Sequence, residues 1–183
     1  MMAGKNIIEE ILNNFTGRDG EPNGDSEIYI LKSMWLMMLS EFEASIKNIA
    51  ENYIDSIKSK DINDIHICLL IRNFHGNKEE ELTLNKITSF YKKNVSDISY
   101  RNFTQDRVPK YKSQAVSKLF SHLGIFLNDD EILQLADLDS AASTRDSIAH
   151  GDFNIQITRT ELLGHLDSLD SILISLKTKV DNS

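Results

Sequence analysis

An all-α protein folded as an antiparallel helical bundle is the architecture this sequence predicts, on three observations. Only eight Gly and two Pro occur in 183 residues, too few turn formers for a β-sandwich or barrel, which needs a turn about every ten residues. Apolar residues instead recur in steps of three and four over long stretches, the period of a helix buried along one side. With 40% apolar and 26% charged residues, the chain has core formers enough to fold and a length suited to one domain, residues 1–183.

The elements follow in order. Ile7, Ile8, Ile11 and Leu12 mark a short amphipathic helix over Lys5–Phe15. Residues 16–25, with Gly17, Gly20, Pro22 and Gly24, read as a loop or tether. From about Ser26, the series Leu31, Met34, Trp35, Met38, Phe42, Ile46, Ile49, Tyr53, Ile57 contains no Gly or Pro break, and predicts one long buried helix. Ile62–Ile71 and Glu79–Lys93 read as helical on either side of a break at His75-Gly76-Asn77, and Asn94–Pro109 as irregular.

Lys110–Leu123 predicts a helix stopped by Gly124, and Asn128-Asp129-Asp130-Glu131 opens the next, acidic residues suiting a helix N-terminus. A further helix runs through Asp139–His150. Phe153, Ile155 and Ile157 make an extended connection, and Thr158 with Glu161 forms a capping box for the last helix. There Leu162, Leu166, Leu169, Leu173, Leu176 and Val180 advance by 4-3-4-3-4, a coiled-coil-like seam. At this length the seam serves either the core of one chain or a zipper between two.

Composition restricts function. The single cysteine, Cys68, excludes an internal disulfide and a thiolate zinc cage and fits a reducing cytoplasm. The longest apolar run, Met34 to Leu39, falls far below the roughly 20 residues of a membrane span, and no secretory signal opens the chain. A net charge of −8 argues against coating nucleic acid by bulk charge. Residues 86–122 are the exception. They hold eight basic against two acidic residues, a local +6 that leaves −14 for the remainder. Six rings, from Phe90 to Phe120, are interleaved with these cations. Such a segment can hold phosphates and stack bases, with Arg107, Lys110 and Lys112 as the expected RNA contacts. A solvated helix pair with core aromatics would carry the same composition.

The chemistry concentrates in Arg145-Asp146-Ser147-Ile148-Ala149-His150-Gly151-Asp152. Five residues on a helix turn by about 140° and rise by about 7.5 Å, so a long Arg145 can still converge on the His150 imidazole. Asp146 and His150, four apart, share a face on which the carboxylate can orient the ring. Gly151 ends the helix and leaves His150 in its last turn, where the dipole favours a cation. An arginine that binds phosphate and a histidine that moves a proton suit phosphodiester chemistry.

This grammar, Arg, a polar residue, then Ile-Ala and His-Gly, resembles the signature of the HEPN superfamily of helical ribonucleases and nucleotide-binding proteins. Asp146 stands where the family more often has Asn. The long helix, through Ser33-Met34-Trp35 and Glu41–Lys47, is similar to the early helix of stand-alone HEPN-like nucleases of prokaryotic defence and toxin loci. The resemblance covers most of Ser26–Val180 and implies that Glu43, with Ala44, Ile46 and Lys47, faces the active site. It implies metal-independent RNA cleavage by the substrate's own 2′-hydroxyl, giving a 2′,3′-cyclic phosphate and a 5′-hydroxyl, with Arg145 and His150 as the catalytic pair and Asp146 and Glu43 in support. One chain offers one well-placed His for two proton transfers. A two-fold dimer supplies the second, and the family forms such dimers. An antitoxin or immunity protein is the further partner this implies.

The remaining motifs read as structural. Arg72–His75 imitates the signature with too short a spacing. His66, His122 and His165 lack partners at metal-ligand spacing, so no metal or other cofactor is expected. Trp35 and Met34, Met37, Met38 read as core. The rival functions are a catalytically silent HEPN module that binds RNA, nucleotide or a partner protein, and a helical interaction protein using the Leu162–Val180 seam.

Overall fold

Six helices and no strand form the described part of the computed structural model, which comprises residues 2–17, 22–59, 112–152 and 154–183. They are α1 (Lys5–Phe15), α2 (Asp25–Ser59), α3 (Ser113–His122), α4 (Asp129–Gln134), α5 (Ala136–Ala149) and α6 (Arg159–Asp181). The helices expected over 62–71 and 79–93, the irregular 94–109, and with them Arg107 and Lys110, lie outside the described residues.

Helices α2 and α6 form the central pair. Every member of the α6 seam, from Leu162 to Val180, is buried, so the repeat is consumed inside the chain and provides no zipper for a second one. The burial on α2 is broader than the predicted stripe: Leu39, Ala50 and Ile54 are buried as well. The reason is that α2 is covered from several sides, by α1, α5 and α6.

Helix α1 lies against α2 and α6, burying Ile8 and Leu12. Its start is pinned by a carboxylate that sequence reasoning did not single out. The Met2 backbone N–H donates to Asp170 Oδ1 at 2.6 Å, and the Lys5 ammonium lies 2.6 Å from Asp167 and 3.5 Å from Asp170. The hydrogen bond to Asp167 holds Lys5 above the ordinary lysine range, against the opposing cost of burial. Asp170 is only 6% exposed, and a buried carboxylate is tolerable when paired in this way.

Local signals set the helix ends near the site. The predicted capping box forms at α6, Thr158 with Glu161, and the predicted start of α4 is closed by a second one, Asn128 with Glu131. Glycine ends both α3 and α5. Gly124 (φ 78°) and Gly151 (φ 80°) occupy left-handed backbone that side-chain-bearing residues adopt only at a cost. At α5, Gly151 N–H donates to Ile148 O at 3.0 Å and Asp152 N–H to Ser147 O at 3.0 Å. This is the doubly bonded Schellman ending, and it satisfies carbonyls the helix would leave open.

Candidate active site

Helix α5 is short and built of small residues, and that composition creates two unlike faces. Leu138, Ala141 and Ala142 are buried. The small alanines let Trp35 of α2 approach until its Nε1–H donates to the Ala141 carbonyl at 2.9 Å. The opposite face carries Asp139, Ser143, Asp146, Ser147 and His150, which line an open groove of about 590 Å³. Their spacing of 4, 3, 1 and 3 is one stripe of a helix.

The other wall comes from the start of α3, with Lys112, Ser113 and Gln114, and from Asp152 beyond α5. A tertiary bond positions this wall. Lys112, at the N-cap of α3, provides no side-chain cap. The Asp139 carboxylate takes that role from α5, accepting from Ser113 N–H at 2.9 Å and from the Ser113 hydroxyl at 2.5 Å. A carboxylate there also meets the positive end of the α3 dipole.

His150 is the residue at the α5 C-cap and is exposed at the groove. Its backbone N–H donates to Asp146 O at 2.9 Å, and Gly151 and Asp152 close the turn behind it. Arg145 starts from the flank of α5 nearer the core, with its side chain 32% exposed, and its Nη1 lies 3.1 Å from Asp146 Oδ1. The expected convergence of Arg145 with the His150 face therefore runs through Asp146. Lys32 of α2 adds a cation on the far side of the turn, its Nζ 3.3 Å from the Asp152 carbonyl.

Glu43 is not brought to this cluster within one chain. On α2 it stands eight residues beyond Trp35, about 12 Å at 1.5 Å per residue, in the direction away from Lys32, and it makes no hydrogen bond or ion pair with α5 among the described residues. Of the expected RNA contacts, Lys112 lies at the groove. Sequence reasoning missed Asp139, Ser143, Ser147 and Gln114. A stripe of Ser and Asp at helical spacing was present in the sequence, but any solvated helix face shows the same pattern. Among the described residues no group of three His, Cys, Asp or Glu is arranged to hold a metal ion, and no helix is long and apolar enough to cross a membrane.

A helical bundle whose penultimate helix ends in Arg145…His150-Gly151 beside an open polar groove defines a protein of the HEPN class. The comparison with family models agrees: the model described as RiboL-PSP-HEPN matches residues 4–182. The chain belongs to this family. No curated protein and no solved structure matches it.

Proposed function

We propose that the protein is an endoribonuclease whose chemistry is carried by Arg145 and His150. The observation that supports this reading most directly is the placement of an exposed His150 by the Gly151 ending at the mouth of the groove, one turn from the Asp146 carboxylate that Arg145 contacts. A scissile phosphate entering here exchanges with Asp146 for the guanidinium, which then neutralises charge that builds on the phosphoryl oxygens. His150 takes the proton from the 2′-hydroxyl as the O2′–P bond forms. The P–O5′ bond breaks with its electron pair going to O5′, which a second proton carrier protonates. His150 of a two-fold related copy meets that need, and its exposure at a helix end permits the approach.

The Arg145–Asp146 contact also favours a second reading, a silent HEPN module that binds RNA without cutting it, because the guanidinium already faces a carboxylate where the phosphate is required. One assay separates the two. Purified protein should cleave unpaired RNA in EDTA to 2′,3′-cyclic phosphate ends, and Arg145→Ala and His150→Ala should each lose at least about a hundredfold in rate while keeping wild-type circular dichroism. RNA binding without cleavage by the wild-type protein establishes the silent module. Cleavage only with added divalent metal, or a His150→Ala variant at near wild-type rate, removes the proposed mechanism.

A further inference from the structure

The groove holds more than the signature pair requires. Between the Asp139–Ser113 bridge at one end and His150 at the other, it is lined by the Ser143 and Ser147 hydroxyls on α5 and the Gln114 carboxamide and Lys112 ammonium on α3. Among the described residues none of these four groups has a hydrogen-bond partner, although the serines could easily find one. A serine within a helix commonly returns its hydroxyl to the carbonyl four residues back, as Ser40 and Ser171 do at 3.0 and 2.9 Å. Ser143 and Ser147 do not, and they border the groove instead.

The charges bordering the groove decide what fits. Three of its residues are carboxylates, Asp139, Asp146 and Asp152, and Asp139 already occupies the α3 N-terminus. Away from the cations at its margins, such a floor disfavours a phosphate. Among the described residues the cations stand at its margins, Lys112 on one side and, on the other, Arg145, paired with Asp146, and Lys32, against the Asp152 carbonyl. The stretch between them offers neutral donors and acceptors, the groups that read base edges. A Gln carboxamide in particular can bond a base that shows a donor beside an acceptor, as adenine does. The volume, about 590 Å³, falls in the range of roughly 300–1,000 Å³ that accepts a small ligand. The Asp139–Ser113 bridge joins its two walls, and a space of this size takes a splayed nucleotide but not a duplex.

We infer that this groove is a base-reading subsite for the unpaired nucleotide next to the scissile phosphate, with Gln114, Ser143 and Ser147 on the base or ribose and Lys112 on the flanking phosphate. The inference rests on the nuclease reading for the position of the phosphate, but its test does not depend on cleavage. The probe is a fluorescein-labelled, 2′-O-methylated eight-nucleotide strand, prepared in four versions that vary one base and in a base-paired version. Binding is read by fluorescence anisotropy with the His150→Ala protein. The background protein should bind the unpaired strand at least about tenfold tighter than the duplex and prefer adenine among the four bases. Adding Gln114→Ala, Ser143→Ala and Ser147→Ala together should cost about tenfold and erase the base preference without changing the salt slope. Lys112→Gln should instead weaken all four sequences alike and lower the salt slope by about one.

All three alanines favour helix, and circular dichroism confirms that the variant is folded. Unchanged affinity and preference in the folded triple variant overturn the subsite, as does equal binding of duplex and single strand. Parallel cleavage assays separate this outcome from the fate of the nuclease. If the wild-type protein never cuts yet the triple variant loses base preference, the nuclease reading falls and the subsite stands. If wild type and triple variant cut the same sites with the same KM, the subsite falls and the nuclease reading stands.

Discussion

Trp35 and Ala141 are joined by a buried hydrogen bond, indole Nε1–H to backbone carbonyl at 2.9 Å, that fixes α2 against α5. The ring of His165 from α6 meets the same indole edge-on, centroids 5.0 Å apart. Three helices thus meet at one side chain directly behind the groove. Trp35→Phe keeps most of the apolar contact but leaves the Ala141 carbonyl unpaired. It should cost about 1–3 kcal/mol in denaturant unfolding, and a change below about 0.5 kcal/mol would mean that the carbonyl finds another donor.

Gly151 should be the most sensitive single residue for how His150 is presented. Nothing lies within 4 Å of where its Cβ would be, so space is not the difficulty; its φ of +80° is. Gly151→Ala should lose about 1–2 kcal/mol of stability from the left-handed backbone, whereas Gly151→Asn should lose less, since Asn tolerates that region. If RNA cleavage is confirmed, Gly151→Ala should reduce kcat more than it reduces binding of a non-cleavable strand.

Glu131 links two helices and should leave a signature in acid. Burial would raise its pKa, but the Lys179 ammonium, reaching from α6, and the Asn128 N–H favour the carboxylate, and the net effect is a pKa below the ordinary 4.5. With a folded pKa lower than the unfolded one, this group adds stability above pH 4.5 and loses it as pH falls through the folded value. Glu131→Gln keeps the capping box, for which Gln also serves, so its cost at neutral pH should be about 1 kcal/mol or less. Below pH 4.5 its thermal midpoint should fall less steeply than that of the wild type. Parallel curves in that window would show that the pair contributes nothing to folding.

The proposed need for two histidines makes a prediction about mixtures. Chains carrying His150→Ala and chains carrying Arg145→Ala should each be inactive. Once their subunits exchange, the mixture should recover measurable RNA cleavage, because a shared cleft then retains one His and one Arg. A protein that is monomeric by light scattering and cleaves at full rate would show that both proton transfers occur within one chain.

The sequence alone determined that helices surround the site and where several of them start or stop, though not the starts of α3 and α5, which carry no local side-chain cap. Thr158 with Glu161, Asn128 with Glu131, and the glycines at 124 and 151 act within one turn of chain, and a signal of that range survives without knowledge of the fold. The α6 seam was legible for the same reason, since a period of three and four states which face is apolar. It did not state what would cover that face, and only the packing of α6 on α2 decided for the interior of one chain. The site divides along the same line. Arg145, Asp146 and His150 could be read together because they share a helix end. The opposing wall depended on Asp139 reaching Ser113 across twenty-six residues, and the distance of Glu43 from the cluster depended on where Trp35 meets α5. Each of those relations is set by how two helices cross, and that crossing is decided by side chains from both, which no single stretch of sequence contains.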